Sequence, residues 1–303
     1  AHYEQSYWDA YQQVNEKFAK SASKFINQND KIWIQDYQLL LLPGLLRANQ
    51  PQSTIGFFQH IPFPSYEIFR LIPWRVELLN GLIGADLIGF HTYDDARHFI
   101  STATRLLPVN ASSNVLTSKE RQIIVEAFPM GIDYEKFDQL AKSPTVISEV
   151  KEFEDSHVGL TTILSIDRLD YSKGIFERLK AFELLLETHP AYLQKISLYM
   201  VVVPSRDTVA QYKELKEQID QTVGKINSKY RTVDWNPIYY FYRSFPIETL
   251  STFYATADIC LVTPMRDGMN LVSKEYIASR ADETGVLILS EMAGASKELN
   301  DAI

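Results

Sequence analysis

The chain has 303 residues, of which 46% are hydrophobic, with only 12 Gly and 13 Pro. At ~100 to 200 residues per domain this length predicts two domains, and the composition excludes collagen-like, disordered and low-complexity classes. Thirty Lys+Arg against 38 Asp+Glu leave a net charge of −8. That balance argues against a broad basic face, so neither nucleic acid nor an anionic membrane is an expected partner.

In chain order, a helical stretch over residues 7–25 precedes short apolar β-type runs near 31–35, 54–59, 86–90 and 122–127. Residues 133–158 are charged and polar and give the best domain boundary; the expected domains are 1–140 and 141–303. Further strands fall near 161–166, 197–203, 238–241, 259–262 and 286–289. Strands alternating with helices are the pattern of a parallel sheet covered by helices on both faces, so the fold class is α/β. Val209, Tyr212, Leu215, Ile219, Val223 and Ile226 step by three or four and describe one long amphipathic helix, a stripe that reads as core packing. No strand with a glycine-rich turn opens the first half, and little follows the last strand, so both ends read as cut.

The best apolar run, 196–203, is strand-length and stops at Pro204, short of the roughly 18 residues that span a bilayer. The first residues lack the basic and apolar regions of a secretory signal. Cys260, the lone cysteine, lies in an apolar run and reads as a buried, reduced thiol. Together these features predict a cytoplasmic protein, in which the glycosylation pattern Asn110-Ala-Ser112 carries no weight.

The sharpest segment is Ile166-Asp-Arg-Leu-Asp-Tyr-Ser-Lys-Gly174, between an apolar strand and a helical pattern beginning near Ile175. Arg168 and Lys173 at a strand's carboxyl end, before a helix N-terminus, suit a diphosphate. Equally, both cations could pair with Asp167 and Asp170 in a solvated loop. There is no Walker-type loop. A second segment, Thr263-Pro-Met-Arg-Asp-Gly-Met-Asn-Leu-Val-Ser-Lys-Glu-Tyr276, also follows a strand, with Gly268 expected to permit an unusual turn. Glu275 lies about one and a half turns beyond Asn270, where a carboxylate suits a ribose diol; the alternative is an exposed Glu pairing Lys274 or another neighbour.

In the first half, His60 ends the strand segment Gly56-Phe-Phe-Gln-His-Ile-Pro-Phe-Pro64, and Asp36 ends Trp33-Ile-Gln-Asp. Singly, each has a structural reading: a hydrogen-bonded histidine and a helix cap. Arg206, after the strand at 197–203, reads as a phosphate fork or as a surface cap. All these groups lie at strand carboxyl ends, where open sheets bind ligands. Six scattered His without metal-ligand spacing, no G-x-S-x-G elbow and one buried-type Cys give little support to metal, serine or thiol chemistry.

Taken in order, Gly56-Phe-Phe-Gln-His-Ile-Pro-Phe-Pro64, Arg168-Leu-Asp-Tyr-Ser-Lys-Gly174 and Pro264-Met-Arg-Asp-Gly-Met-Asn-Leu-Val-Ser-Lys-Glu275 closely resemble the trehalose-6-phosphate synthases, retaining glycosyltransferases of family 20. The similarity runs along nearly the whole chain. It implies the GT-B fold, two Rossmann-like domains facing a cleft, and transfer of glucose from UDP-glucose to glucose 6-phosphate, giving α,α-trehalose 6-phosphate and UDP. By resemblance, Arg168 and Lys173 grip the donor diphosphate and stabilise departing UDP. Asp267, with the backbone of Gly268, Met269 and Asn270, holds hydroxyls of the donor glucose, and amides around Leu271 and Val272 meet the phosphates. Glu275 holds the ribose, His60 touches the donor sugar near its 6-hydroxyl, and Phe245 marks the uracil pocket. Catalytic weight falls on Arg168, Lys173, His60 and Asp267. On the acceptor side Asp36 binds a sugar hydroxyl and Arg206 the 6-phosphate.

The resemblance implies no cofactor and no metal, and retention without a carboxylate nucleophile, unlike paired-carboxylate glycosidases. As partners it leaves open a homo-oligomer, or a fused or associated trehalose-phosphate phosphatase. The chain reads Gln35-Asp-Tyr-Gln38 where the family often has His-Asp-Tyr-His, and it resembles the family without its N-terminal and extreme C-terminal parts. Two other readings stand beside the synthase: a noncatalytic, regulatory synthase-like subunit, and a related transferase acting on a cyclitol or another phosphorylated acceptor. Every donor-site charge that the first of these would lack is present.

Overall fold

The computed structural model describes residues 3–27, 29–119, 121–206 and 208–303, which divide into two compact units, one up to Met130 and one from Gly131. The split precedes the expected 140/141 boundary because the helix at Tyr134–Ala141 packs on helices of the second unit.

The first unit runs α1 (Gln5–Ala22), β1 (Lys31–Gln35), α2 (Leu42–Asn49), β2 (Thr54–Phe58), α3 (Tyr66–Phe69), α4 (Arg75–Leu82), β3 (Leu87–Phe90), α5 (Tyr93–Leu106), β4 (Asn110–Ser112), β5 (Val115–Ser118) and β6 (Arg121–Ala127). Among the described residues its sheet has the order β1-β2-β3-β6-β5-β4, parallel from β1 to β6 and antiparallel from β6 to β4. Thr92 caps α5 by accepting from the Asp95 amide, and Asp94 and Asp95 fill its first turn, where carboxylates complement the helix dipole. Ala96, Phe99 and Ala103 make the buried stripe of that helix, against Ile88, Phe90 and Ile123 of the sheet. Trp33, 72% exposed, borders an apolar groove of about 520 Å³ with Ile32, Phe128 and Met130.

The second unit runs α6 (Tyr134–Ala141), α7 (Pro144–Ser156), β7 (Thr161–Arg168), α8 (Ile175–Thr188), β8 (Ile196–Val203), α9 (Ala210–Tyr230), β9 (Ile238–Phe241), α10 (Ile247–Thr256), β10 (Ile259–Val262), α11 (Leu271–Ser279) and β11 (Val286–Leu289). Its strands, all parallel, lie in the order β11-β10-β7-β8-β9. The chain builds outward from β7 through β8 to β9, then returns to lay β10 against the other edge of β7. The order therefore reverses between β7 and β10, the switch point at which such sheets bind ligands.

Successive residues of β8 serve opposite faces, as a period of two requires. Leu198, Met200 and Val202 pack with Leu179 and Phe182 of α8 and Tyr212 and Ile219 of α9, while Tyr199 and Val201 pack with Leu164, Ile166 and Cys260. The long helix expected from residue 209 is α9, with Tyr212, Ile219, Val223 and Ile226 buried. Cys260 is a buried free thiol, and burial pushes its pKa up. Among the described residues no helix is long and apolar enough to cross a membrane.

Candidate active site

The second unit brings the two motif loops together at its switch point. β7 ends on Arg168, after which residues 171–173 form a tight turn and Asp170 accepts from the Ser172 amide at 2.9 Å. Gly174 then turns the chain into α8 with φ of 65°, a conformation that costs glycine nothing. A Cβ there would lie 2.6 Å from the Thr263 carbonyl oxygen, so the two loops touch backbone to backbone. The Met265 amide donates to the Ser172 carbonyl at 2.8 Å. On its other side the second loop is held by the segment after β11: the Asp267 amide donates to the Met292 carbonyl at 3.0 Å and the Ala295 amide to that of Met269 at 2.8 Å. The unusual backbone expected at Gly268 belongs instead to Asn270, with φ of 75°. Asparagine tolerates it because its side chain bonds the local backbone: here it caps α11 by accepting from the Ser273 amide at 3.4 Å.

Lys173 Nζ donates to Asp267 Oδ2 at 2.6 Å, each side chain being 15% exposed, and Asn270 Nδ2 donates to the same oxygen at 3.0 Å. Arg168 is exposed, and its guanidinium has no ion pair or hydrogen bond among the described residues. The alternative of a loop network with Asp167 and Asp170 is not what forms. Asp167 is buried against Arg178 at 2.6 Å, and Asp170 accepts from Tyr212 Oη at 3.0 Å. Burial pulls the Asp170 carboxyl up, but the bonds from Ser172 and Tyr212 and the charge of Arg206 outweigh it and hold the group below the usual carboxylate range. Arg206 Nη1 donates to Tyr212 Oη at 2.6 Å and stands 4.0 Å from Asp170. Arg206, expected to bind the acceptor, is thereby tied to the loop that carries Lys173. Burial, then the Asp170 carboxylate, push the Tyr212 phenol up to about 12, so it stays protonated.

Leu271 and Val272 open α11 and Ile175 opens α8, and amides in a first helical turn have no acceptor within the helix. Glu275, half-buried, accepts from Tyr254 Oη at 2.7 Å. Lys274 pairs with Glu298 instead. Met269 is 4% exposed and its side chain is core, which leaves only its backbone for a ligand. Phe245, after the edge strand β9, packs on Phe241 and Phe253 at ring distances of 5.6 and 5.3 Å under the Arg243 guanidinium. It belongs to the same apolar cluster as Leu271 and Val272.

In the first unit, Asp36 follows β1 with φ of 67° and makes no side-chain cap. Its Oδ1 accepts instead from the His60 amide at 3.1 Å. His60 Nε2 lies 2.7 Å from Oε1 of Gln35, and its ring stands 5.4 Å from that of His91. Asp36 and His60 are thus brought together at the carboxyl ends of β1 and β2.

The sequence profile of glycosyltransferase family 20 matches residues 1–303. The chain belongs to glycosyltransferase family 20. It is 45% identical over 306 residues to "Alpha,alpha-trehalose-phosphate synthase [UDP-forming] 2" of Aspergillus fumigatus, covering 99% of this chain and 64% of that protein. This chain therefore spans less than two thirds of that relative. Among solved structures, "Trehalose-6-phosphate from E. coli bound with UDP-2-fluoro glucose" superposes with a TM-score of 0.94 at 36% identity, covering 100% of this chain and 67% of that one. A UDP-forming alpha,alpha-trehalose-phosphate synthase from Burkholderia xenovorans, in complex with glucose-6-phosphate, gives 0.93 at 35% identity, covering 99% and 68%. The fold is the GT-B class expected for the family, α/β with two Rossmann-like units.

In this family 20 chain the sequence assigned no role to Arg178 or to the hydroxyl of Tyr212, and Gln35 stood out there only as a departure beside Asp36. Arg178 had a signal. It falls on the stripe of Ile175, Leu179, Phe182 and Leu186, the buried face of α8, where a charge must find partners.

Proposed function

We propose that the chain carries the catalytic machinery of a retaining, metal-independent glucosyltransferase that moves glucose from UDP-glucose to glucose 6-phosphate, giving α,α-trehalose 6-phosphate and UDP. The observation that carries this reading is the β7–β10 switch point, where two laced loops set Arg168, Lys173 and Asp267 before two helix N-termini. Fixed cations and helix amides stabilise a diphosphate as it takes up negative charge. The names of the relatives, and the UDP-2-fluoro glucose and glucose-6-phosphate of the solved structures, support the same substrates.

In this reading the bond from the glucose anomeric carbon to the β-phosphate oxygen breaks, and a bond from the acceptor's anomeric oxygen forms on the same face. The acceptor proton passes to the leaving diphosphate oxygen. Arg168, Lys173 and the amides of Leu271 and Val272 hold the diphosphate, Glu275 the ribose, and Phe245 marks the base. Asp267, with the backbone of 268–270, and His60 hold the donor glucose. Asp36 takes an acceptor hydroxyl and Arg206 its phosphate.

The test is incubation of the full protein with UDP-glucose and glucose 6-phosphate, without added metal, with NMR of the product. The expected result is one α,α-linked disaccharide phosphate and one UDP per turnover. Product from a cyclitol phosphate but none from glucose 6-phosphate would move the assignment to the related transferase. No product with any acceptor would favour the regulatory subunit.

A further inference from the structure

Arg178 lies on the first turn of α8 with its side chain 1% exposed. Its guanidinium is spent on three separate pieces of chain. Nη1 donates to Asp167 Oδ2 at 2.6 Å and to Ser165 Oγ, both on β7. Nη2 donates to the carbonyl of Lys173 at 3.1 Å, and Nε to Thr263 Oγ1 at 3.0 Å. A planar fork with several fixed donors can hold these acceptors at once; an ammonium of similar reach cannot. The last two bonds matter most. One grips the backbone of the residue whose Nζ pairs with Asp267, and the other grips the first residue of the loop that carries Asp267.

We propose that Arg178 is a positioning residue for the nucleoside-diphosphate donor: from beneath the loops it fixes the spacing between Lys173 and the 263–270 loop. The inference rests on the donor reading above. It assigns Arg178 no contact with substrate and no influence on the acceptor. The competing role is purely structural, neutralising buried Asp167, and removing one member of such a pair is costly in itself because the other is left unpaired.

The test therefore uses variants that leave no lone buried charge. In the full protein, Arg178→Lys keeps the charge without the fork, Asp167→Asn/Arg178→Gln removes both charges, and Thr263→Val removes the Nε acceptor alone. Each is melted, then titrated with UDP by calorimetry well below its melting temperature, and its donor and acceptor KM are measured separately. The expected result is UDP binding weakened about tenfold or more in the first two variants and roughly threefold in Thr263→Val, a parallel rise in donor KM, and acceptor KM within about twofold of wild type. UDP affinity within about twofold of wild type in all three folded variants, whatever their melting temperatures, would overturn the proposal and leave Arg178 a stability residue. A wild-type protein that does not bind UDP would overturn the donor reading itself, and this inference with it.

Discussion

Lys173 Nζ lies 2.6 Å from Asp267 Oδ2, joining two residues 94 positions apart on the loops that follow β7 and β10. The pair is mostly buried, and Asn270 bonds the same oxygen, so the lysine is aimed before any ligand arrives. If Lys173 meets the diphosphate and Asp267 the donor glucose, the two functions separate on substitution. Asp267→Asn is expected to bind UDP within about threefold of wild type while kcat/KM for UDP-glucose falls on the order of a hundredfold, about 2.7 kcal/mol of transition-state stabilisation. Calorimetry with UDP beside steady-state kinetics reads both numbers. Equal losses in the two would place Asp267 on the diphosphate.

Gly174 is the point at which the two loops touch. A methyl there meets the Thr263 carbonyl at 2.6 Å, in a backbone with φ of 65°. Gly174→Ala should lose roughly 1 to 2 kcal/mol from the left-handed backbone alone, with the clash in addition. UDP affinity falls with it because the 263–270 loop must retreat. A denaturant titration beside a UDP titration checks both halves.

The strands were legible in the sequence for a physical reason. β8 is buried on both faces and reads as a near-continuous apolar run interrupted only by Ser197, and β7, β10 and β11 stand out between helical stretches. The β4–β5 hairpin was not, because Asn110–Ser112 is three exposed residues, Asn-Ala-Ser, with no β-branched or large apolar side chain to mark a strand. Arg168 and Lys173 could be picked from charge and position, but the sequence could not choose between a ligand pair and a solvated network. The choice depends on Arg178, Tyr212 and Asp267 claiming the nearby partners, all contacts made across the fold. Gly268 was the natural residue for an unusual turn, and Asn270 took it because its side chain both caps α11 and tolerates positive φ.

Tyr212 links Arg206 to Asp170, with bonds of 2.6 and 3.0 Å. In Tyr212→Phe the Arg206 guanidinium loses its hydrogen bond to the phenol, while Lys173 and Asp267 keep their own contacts. Affinity for a phosphorylated acceptor should fall about three- to tenfold, with UDP affinity within about twofold of wild type. The readout is the ratio of KM values for glucose 6-phosphate and glucose. A change that affects both sugars alike would show that Tyr212 does not act through Arg206.

Asp170 is held below the usual carboxylate range, so the unfolded chain binds more protons at this group than the folded one as the pH drops past about 4. Its stabilisation is therefore complete above that pH and is lost as the pH falls through the lower folded value. Asp170→Asn removes the titration. Melting curves of wild type and variant should lie apart at pH 6 and draw together towards pH 3. A gap that stays constant over that range would show that Asp170 does not titrate as this network requires.

Arg168 offers the most direct test of the switch-point account, because its exposed guanidinium has no ion pair or hydrogen bond among the described residues, so its removal leaves no buried group unpaired. The measurement is calorimetric titration of the full protein with UDP, without metal, for wild type and Arg168→Ala. Saturable binding by wild type that weakens by about tenfold or more in a variant of unchanged melting temperature is the predicted result. Equal binding by the two proteins would contradict the assignment of the β7–β10 loops as the diphosphate site.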